Sequence, residues 1–332
     1  MIKLKYTAIM SALLLTACSN NSGKIQDLSD ITALEITATH AIAIDESASG
    51  LSFVPNNVAP WLGRLILQNT DGSLSSTDIE GRATQSISNI KYSDIFGLAR
   101  ENASGVFLAI NSENNSLDAF IESDDQGNFA PLSYSGNTLK SQTICSTESA
   151  DEQTATILTN DNSLSSLSLN VAKDETAKSA PVEQSVISSL PAHENTRLCA
   201  VSATHTFAYE QTDTQARLHT YFEGNWSQTD ISTDISNIFP LTLNDTSYLL
   251  IVDNTDTYLF NADTQLVENK LVVKSGLSIR GLEKTKFIAT TTHNFGGAAF
   301  SDGLVAFGQA DEDRIVFVSR AYLADVINKS GL

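Results

Sequence analysis

The feature that most constrains this chain is a hairpin signature that returns along it at even spacing. In GRLILQNTDGSL, ending at Leu74, an apolar strand runs into a polar turn and an apolar residue then restarts the alternation. GVFLAINSENNSLDAF repeats the pattern around Leu117, and TILTNDNSLSSL repeats it around Leu164. Looser copies are FAYEQTDTQARLHTY around Leu218, YLLIVDNTDTYLF around Tyr258 and GLVAFGQADEDRIVFV around Ile315. Alternation on both sides of an Asn, Asp, Gly or Ser turn is the sequence form of a β-hairpin. Five intervals separate Leu74 from Ile315, so the mean spacing is about 48 residues, the length of a four-stranded propeller blade. Further short alternating runs such as LSIRGL lie between the copies, and helical periodicity is scarce. The pattern predicts an all-β chain, a six-bladed β-propeller. A large β-sandwich or jelly roll also needs many short strands, but blade-length regularity favours the propeller.

The first residues stand apart from this pattern. MIKLKYTAIMSALLLTAC places Lys3 and Lys5 before a short apolar run and small residues before Cys18, the form of a bacterial export signal. Leu15-Thr16-Ala17-Cys18 resembles the lipobox of bacterial lipoproteins, in which the cysteine is lipidated and becomes the new N-terminus. Ser19 after it implies sorting to the bacterial outer membrane, and buried acyl methylenes at about 0.8 kcal/mol each would anchor the chain. The expected organisation is therefore a signal peptide over 1–17, a membrane tether and entering strand over 18–45, and a propeller over 46–332.

Charge narrows the partners. The formal net charge is −19, and removing 1–17 with its two lysines makes it −21. Nucleic acid is not expected as a partner, because binding it needs clustered Lys and Arg. Two cysteines remain beyond Cys18, and export to an oxidising compartment predicts a Cys145 to Cys199 disulfide.

Motifs that carry chemistry are missing. The five histidines have no metal-ligand spacing, and there is no phosphate-binding loop, dinucleotide fingerprint, nucleophile elbow or Cys-x-x-Cys knuckle. The acidic groups Asp124-Asp125, Asp151-Glu152 and Asp311-Glu312-Asp313 read as solvated turns. Neither a catalytic residue nor a metal ligand is assigned.

Four stretches together resemble the six-bladed β-propeller phytases, which hydrolyse phytate with calcium. NSENNSLDAF is similar to the family's Ser-Asn-Arg strand and hairpin, through Asn111, Asn114, Ser116, Leu117 and Asp118. The segments around Cys145 and Cys199 look like the family's two cysteine-bearing segments, which also implies the disulfide. YLLIVDNTDTYLF resembles the Ser-Gln-Gly strand, and HNFGGAAFSDGLVAFGQ with DRIVFVSRAYLADVI resembles the closing segments.

The family's functional residues mostly do not carry over. Its arginine after Ser-Asn falls on Ser112, the glutamate of Glu-Gly-Cys on Arg197, and two following aspartates on Ser202 and Ala203. A lysine falls in Gln68-Asn69-Thr70, an Asp-Gly on Lys286-Phe287, and a Gln-Gly on Asn254 and Thr255. Of an acidic pair, Glu210 is kept as a candidate ligand-binding residue while its neighbour is Gln211. The resemblance thus implies a catalytically degenerate binding or accessory module needing no cofactor. It would be anchored in the membrane, beside an active phytase or another envelope protein. The alternatives are a calcium-dependent phytase with shifted ligands and an envelope scaffold.

Overall fold

The computed structural model describes residues 26–82, 85–88, 90–100, 103–123, 128–135, 140–148, 154–169, 179–185, 195–211, 216–310 and 312–331. The export segment and Cys18 lie outside the described residues, as do Asp124-Asp125, Asp151-Glu152 and Asp311.

The described strands form six blades around one channel, an all-β, six-bladed propeller. Two strands come first, β1 (Ala33–Thr37) and β2 (His40–Ala43). Blade 1 is the meander β3 (Ala48–Val54), β4 (Arg64–Asn69), β5 (Leu74–Asp78) and β6 (Gln85–Ser88). Blade 2 is β7 (Tyr92–Leu98), β8 (Val106–Asn111), β9 (Leu117–Glu122) and β10 (Phe129–Ser135). Blade 3 begins with β11 (Ser141–Ile144), from which the short β12 (Ser146–Thr147) departs, and continues through β13 (Thr154–Thr159), β14 (Leu164–Leu169) and β15 (Ser179–Ser185). Blade 4 is β16 (Thr196–Val201), β17 (Thr206–Gln211), β18 (Ala216–Phe222) and β19 (Asn225–Ile231). Blade 5 is β20 (Asn237–Leu243), β21 (Thr246–Val252), β22 (Thr257–Asn261) and β23 (Leu266–Lys274). Blade 6 is β24 (Thr285–Thr291), β25 (Leu304–Gln309) and β26 (Arg314–Ser319), followed by helix α1 (Arg320–Ser330).

The six residues that mark the repeat, Leu74, Leu117, Leu164, Leu218, Tyr258 and Ile315, each fall in the third strand of a successive blade. In blades 1 to 3 the turn chemistry explains why the signature is so similar. Gly72, Asn115 and Asn162 have φ of 87°, 59° and 58°, a left-handed conformation that Gly and Asn accept at least cost. Just before them, Asp71 and Asn114 accept the Ser73 and Ser116 amides, each at 2.8 Å, and Asp161 accepts the Ser163 hydroxyl at 2.8 Å.

The N-terminal stretch laces three blades together. The Gln26 amide donates to the Asp230 carbonyl on blade 4 at 3.2 Å, β1 adds in parallel to β23, and β2 adds antiparallel to β26 as the fourth strand of blade 6. The stretch expected as one entering strand thus supplies two, and the propeller starts ahead of residue 46. At the rim, β10 and β15 also pair in parallel, which joins blades 2 and 3 into one sheet.

Apolar clusters fill the junctions between blades, because each sheet buries both faces. The junction of blades 5 and 6 holds eighteen buried residues including Leu323 and Ile327 of α1, while the junction of blades 3 and 4 holds four among the described residues. Two of those four are Cys145 and Cys199, which form the disulfide. The covalent link stands where hydrophobic burial is thinnest. At another junction a Cβ on Gly97 would lie 1.9 Å from the Phe53 carbonyl oxygen, so only glycine lets β3 and β7 approach this closely.

Candidate functional site

Each blade's first strand lines the channel. We call the end where these strands begin the upper end; the turns between second and third strands lie there too, whereas those between first and second strands lie at the lower end. Near the upper end, five first strands carry one extra residue relative to their partner: Ser49, Ser93, Gln142, Arg197 and Lys286. Such bulges release one residue from the ladder and re-aim its side chain. In blade 5, Ser236 occupies the corresponding place, its amide and hydroxyl both donating to the Val252 carbonyl. All of these but Lys286 line a cavity of about 300 Å³. A small-molecule site needs roughly this volume at the least.

The cavity is a blind funnel. After Cys145 the chain leaves blade 3, and β12 pairs in parallel with β16. The Ser146 hydroxyl donates to the Ile238 carbonyl of blade 5 at 2.8 Å. Glu148 accepts the Thr242 amide at 2.6 Å and pairs with Arg320, the first residue of α1, which also donates to the Thr242 carbonyl at 2.6 Å. Burial raises the Glu148 carboxyl above its ordinary range, and the Arg320 guanidinium pulls it back. Beside Thr147 and Glu148 the channel narrows to a space of about 20 Å³, room for one water.

The funnel wall carries two charged residues of opposite sign. On blade 2, Asp94 accepts the Thr143 hydroxyl at 2.6 Å, the Ile144 amide at 2.7 Å and the Ile95 amide at 2.9 Å, so it ties blade 2 to blade 3. Burial pushes its carboxyl well up, against the pull of those hydrogen bonds. On blade 4, Arg197 is exposed and donates to Gln211 at 2.8 Å. Lys286 of blade 6 is half-buried, with no hydrogen-bond or ion-pair partner among the described residues.

The positions singled out by the phytase resemblance separate cleanly. Arg197, Lys286, Glu210, Gln211, Ser112, Gln68 and Asn254 all lie at the upper end, whereas Ser202 and Ala203 lie in the turn between β16 and β17 at the lower end. Glu210 is buried, 3.0 Å from His219 Nε2 and 3.5 Å from Asn195 Nδ2, and is not among the residues lining the funnel. Calcium takes six to eight oxygen ligands, several of them usually carboxylates. Two bulge positions here are cations, and no group of three His, Cys, Asp or Glu among the described residues could hold a metal. The donor set therefore does not fit calcium at the funnel. The sequence reading missed Asp94 and the Glu148–Arg320 closure. A polar residue just inside the start of each first strand, from Ser49 to Lys286, was the available signal for the ring.

No protein-family model matches the chain, and no curated protein does. Among solved structures it is similar to BBS1N in the crystal structure of BBS1N in complex with ARL6DN soaked with mercury. That match has a TM-score of 0.46 and 10% identity, and covers 82% of this chain and 77% of that one. It is also similar to the β-propeller domain of Cps50 (Swd1) from Myceliophteria thermophila, with a TM-score of 0.43 and 11% identity, covering 82% and 83%. At such identity the likeness extends to the fold alone.

Proposed function

We propose that this chain is a ligand-binding module of a bacterial cell envelope, a phytase-like propeller without phytase chemistry. The observation that carries the reading is the blind funnel at the upper end, with polar side chains from five blades at its mouth and cations at two bulge positions. Phytase chemistry asks carboxylates to hold calcium, and calcium to bridge phosphate and activate water. Arg197 and Lys286 repel that metal. A closed floor suits retention of a small molecule, and a propeller rim leaves wide surfaces for an active phytase or another envelope protein. Lipidation at Cys18 would hold the module at the outer membrane. Phosphate release from phytate in millimolar calcium tests the reading: the purified protein should stay at background, and calcium should leave its melting temperature unchanged. Calcium-dependent turnover that is lost in Glu210→Ala overturns it in favour of the enzyme.

A further inference from the structure

The funnel is dipolar. Its carboxyl, Asp94, belongs to blade 2, and its cation, Arg197, to blade 4. A second cation, Lys286, takes the same bulge position in blade 6. The two lining charges do not neutralise each other, because Asp94 is bonded to Thr143, Ile144 and Ile95, and Arg197 to Gln211. Below them the wall turns apolar, with Leu198 and Phe239 half-buried and Ile144, Ile238 and Ile288 buried around the same cavity.

We propose that the funnel binds a small zwitterion, an α-amino acid with an apolar side chain. Its ammonium would meet Asp94, its carboxylate would meet Arg197, and its side chain would lie against Leu198 and Phe239. Each part of the cavity then gains what it lacks. A ligand ammonium would give the half-buried Asp94 carboxyl the opposite charge that it lacks, offsetting the burial that raises its pKa. The guanidinium of Arg197 has donors to spare for a carboxylate, which it can take with two parallel bonds. Half-buried Leu198 and Phe239 lose their remaining contact with water when an apolar side chain covers them.

The inference rests on the binding reading above, and its test separates the two. The purified full chain is titrated with L-leucine, N-acetyl-L-leucine and L-leucinamide, and binding is read by calorimetry and by melting temperature. Saturable binding of leucine is expected, with the N-acetyl and amide forms each weaker by about tenfold or more, which is roughly 1.4 kcal/mol or more. Asp94→Asn should bring leucine down to the level of its N-acetyl form, and Arg197→Gln should bring it down to the level of the amide. Arg197 is exposed, so its variant remains informative should Asp94→Asn not fold. The inference is overturned if leucine shows no saturable binding, if the blocked forms bind equally well, or if neither variant weakens it. Should leucine fail while another small molecule from a screen binds and binds more weakly to Arg197→Gln, the zwitterion falls and the binding module stands.

Discussion

The two ends of the central channel are built on opposite principles. At the upper end, the bulged residues Ser49, Ser93, Gln142 and Arg197 of the first strands line a polar cavity, and the charges there are unpaired with one another. At the lower end, Ser146 to Glu148 cross from blade 3 to blades 4 and 5, a disulfide fixes their start, and a buried ion pair to α1 fixes their end. The lower end ties its charges to each other, whereas the upper end holds Asp94 and Arg197 apart, each bonded to neutral groups. Functional sites commonly forgo stability in this way. The fold's integrity should therefore depend on the lower end and its ligand chemistry on the upper.

The largest effect expected is at the lower closure. Glu148→Ala leaves the Arg320 guanidinium and the Thr242 amide without their acceptor, in a pair whose side chains are 6% and 12% exposed. Breaking such a pair costs about 3–5 kcal/mol, and chemical denaturation should register it. A loss below 1 kcal/mol would mean the segment is not held as described. Next is the disulfide, which closes a loop of 54 residues. Replacing both cysteines by alanine should cost roughly 3–4 kcal/mol in the chain-entropy account, the more so because the junction of blades 3 and 4 has so little apolar cover. Unchanged stability in the double variant would show that burial alone holds that junction.

Smaller and of distinctive sign is the effect of Asp94. Its carboxyl lies above its ordinary 3.8 because of burial, so the folded state keeps the proton longer than the unfolded chain does. Its contribution to stability is present below about pH 4 and declines as pH rises through the raised folded value. Arg197 is the other charged group lining the funnel, and the hydrogen bonds from Thr143, Ile144 and Ile95 face the carboxyl directly. In Asp94→Asn the amide oxygen can still accept from Thr143 and Ile144, and the decline should flatten. Stability curves for variant and native protein that run parallel in pH would remove Asp94 from this role.

Much of the propeller was legible in the sequence because its repeat is written in short-range chemistry. The Asp-Gly-Ser-Leu, Asn-Asn-Ser-Leu and Asp-Asn-Ser-Leu turns need a left-handed residue and an Asx acceptor at fixed offsets, and these are visible in four consecutive letters. The disulfide was legible from the cysteine count together with the expected export. The funnel was not, for a physical reason. Whether Ser93 or Arg197 faces a channel depends on a bulge, and a bulge changes the register between strands without changing the alternation within one. Glu148 and Arg320 are 172 residues apart. Nothing local in TESADE or VSRAYL announces that they meet. The positions compared with family ligands do not share one end of the channel: Arg197 and Lys286 lie at the upper end and Ser202 and Ala203 in a lower turn, and sequence order does not say at which end of a strand a turn lies.

The contrast between the two ends is tested most directly by the stability of a mouth variant, Arg197→Ala with Lys286→Ala, measured by denaturation beside Glu148→Ala. The account predicts that the double mouth variant stays within about 0.5 kcal/mol of the native protein, as substitutions away from structural contacts do, while Glu148→Ala loses several. A mouth variant that unfolds as readily as Glu148→Ala would contradict it, and would make the ring of bulges part of the scaffold.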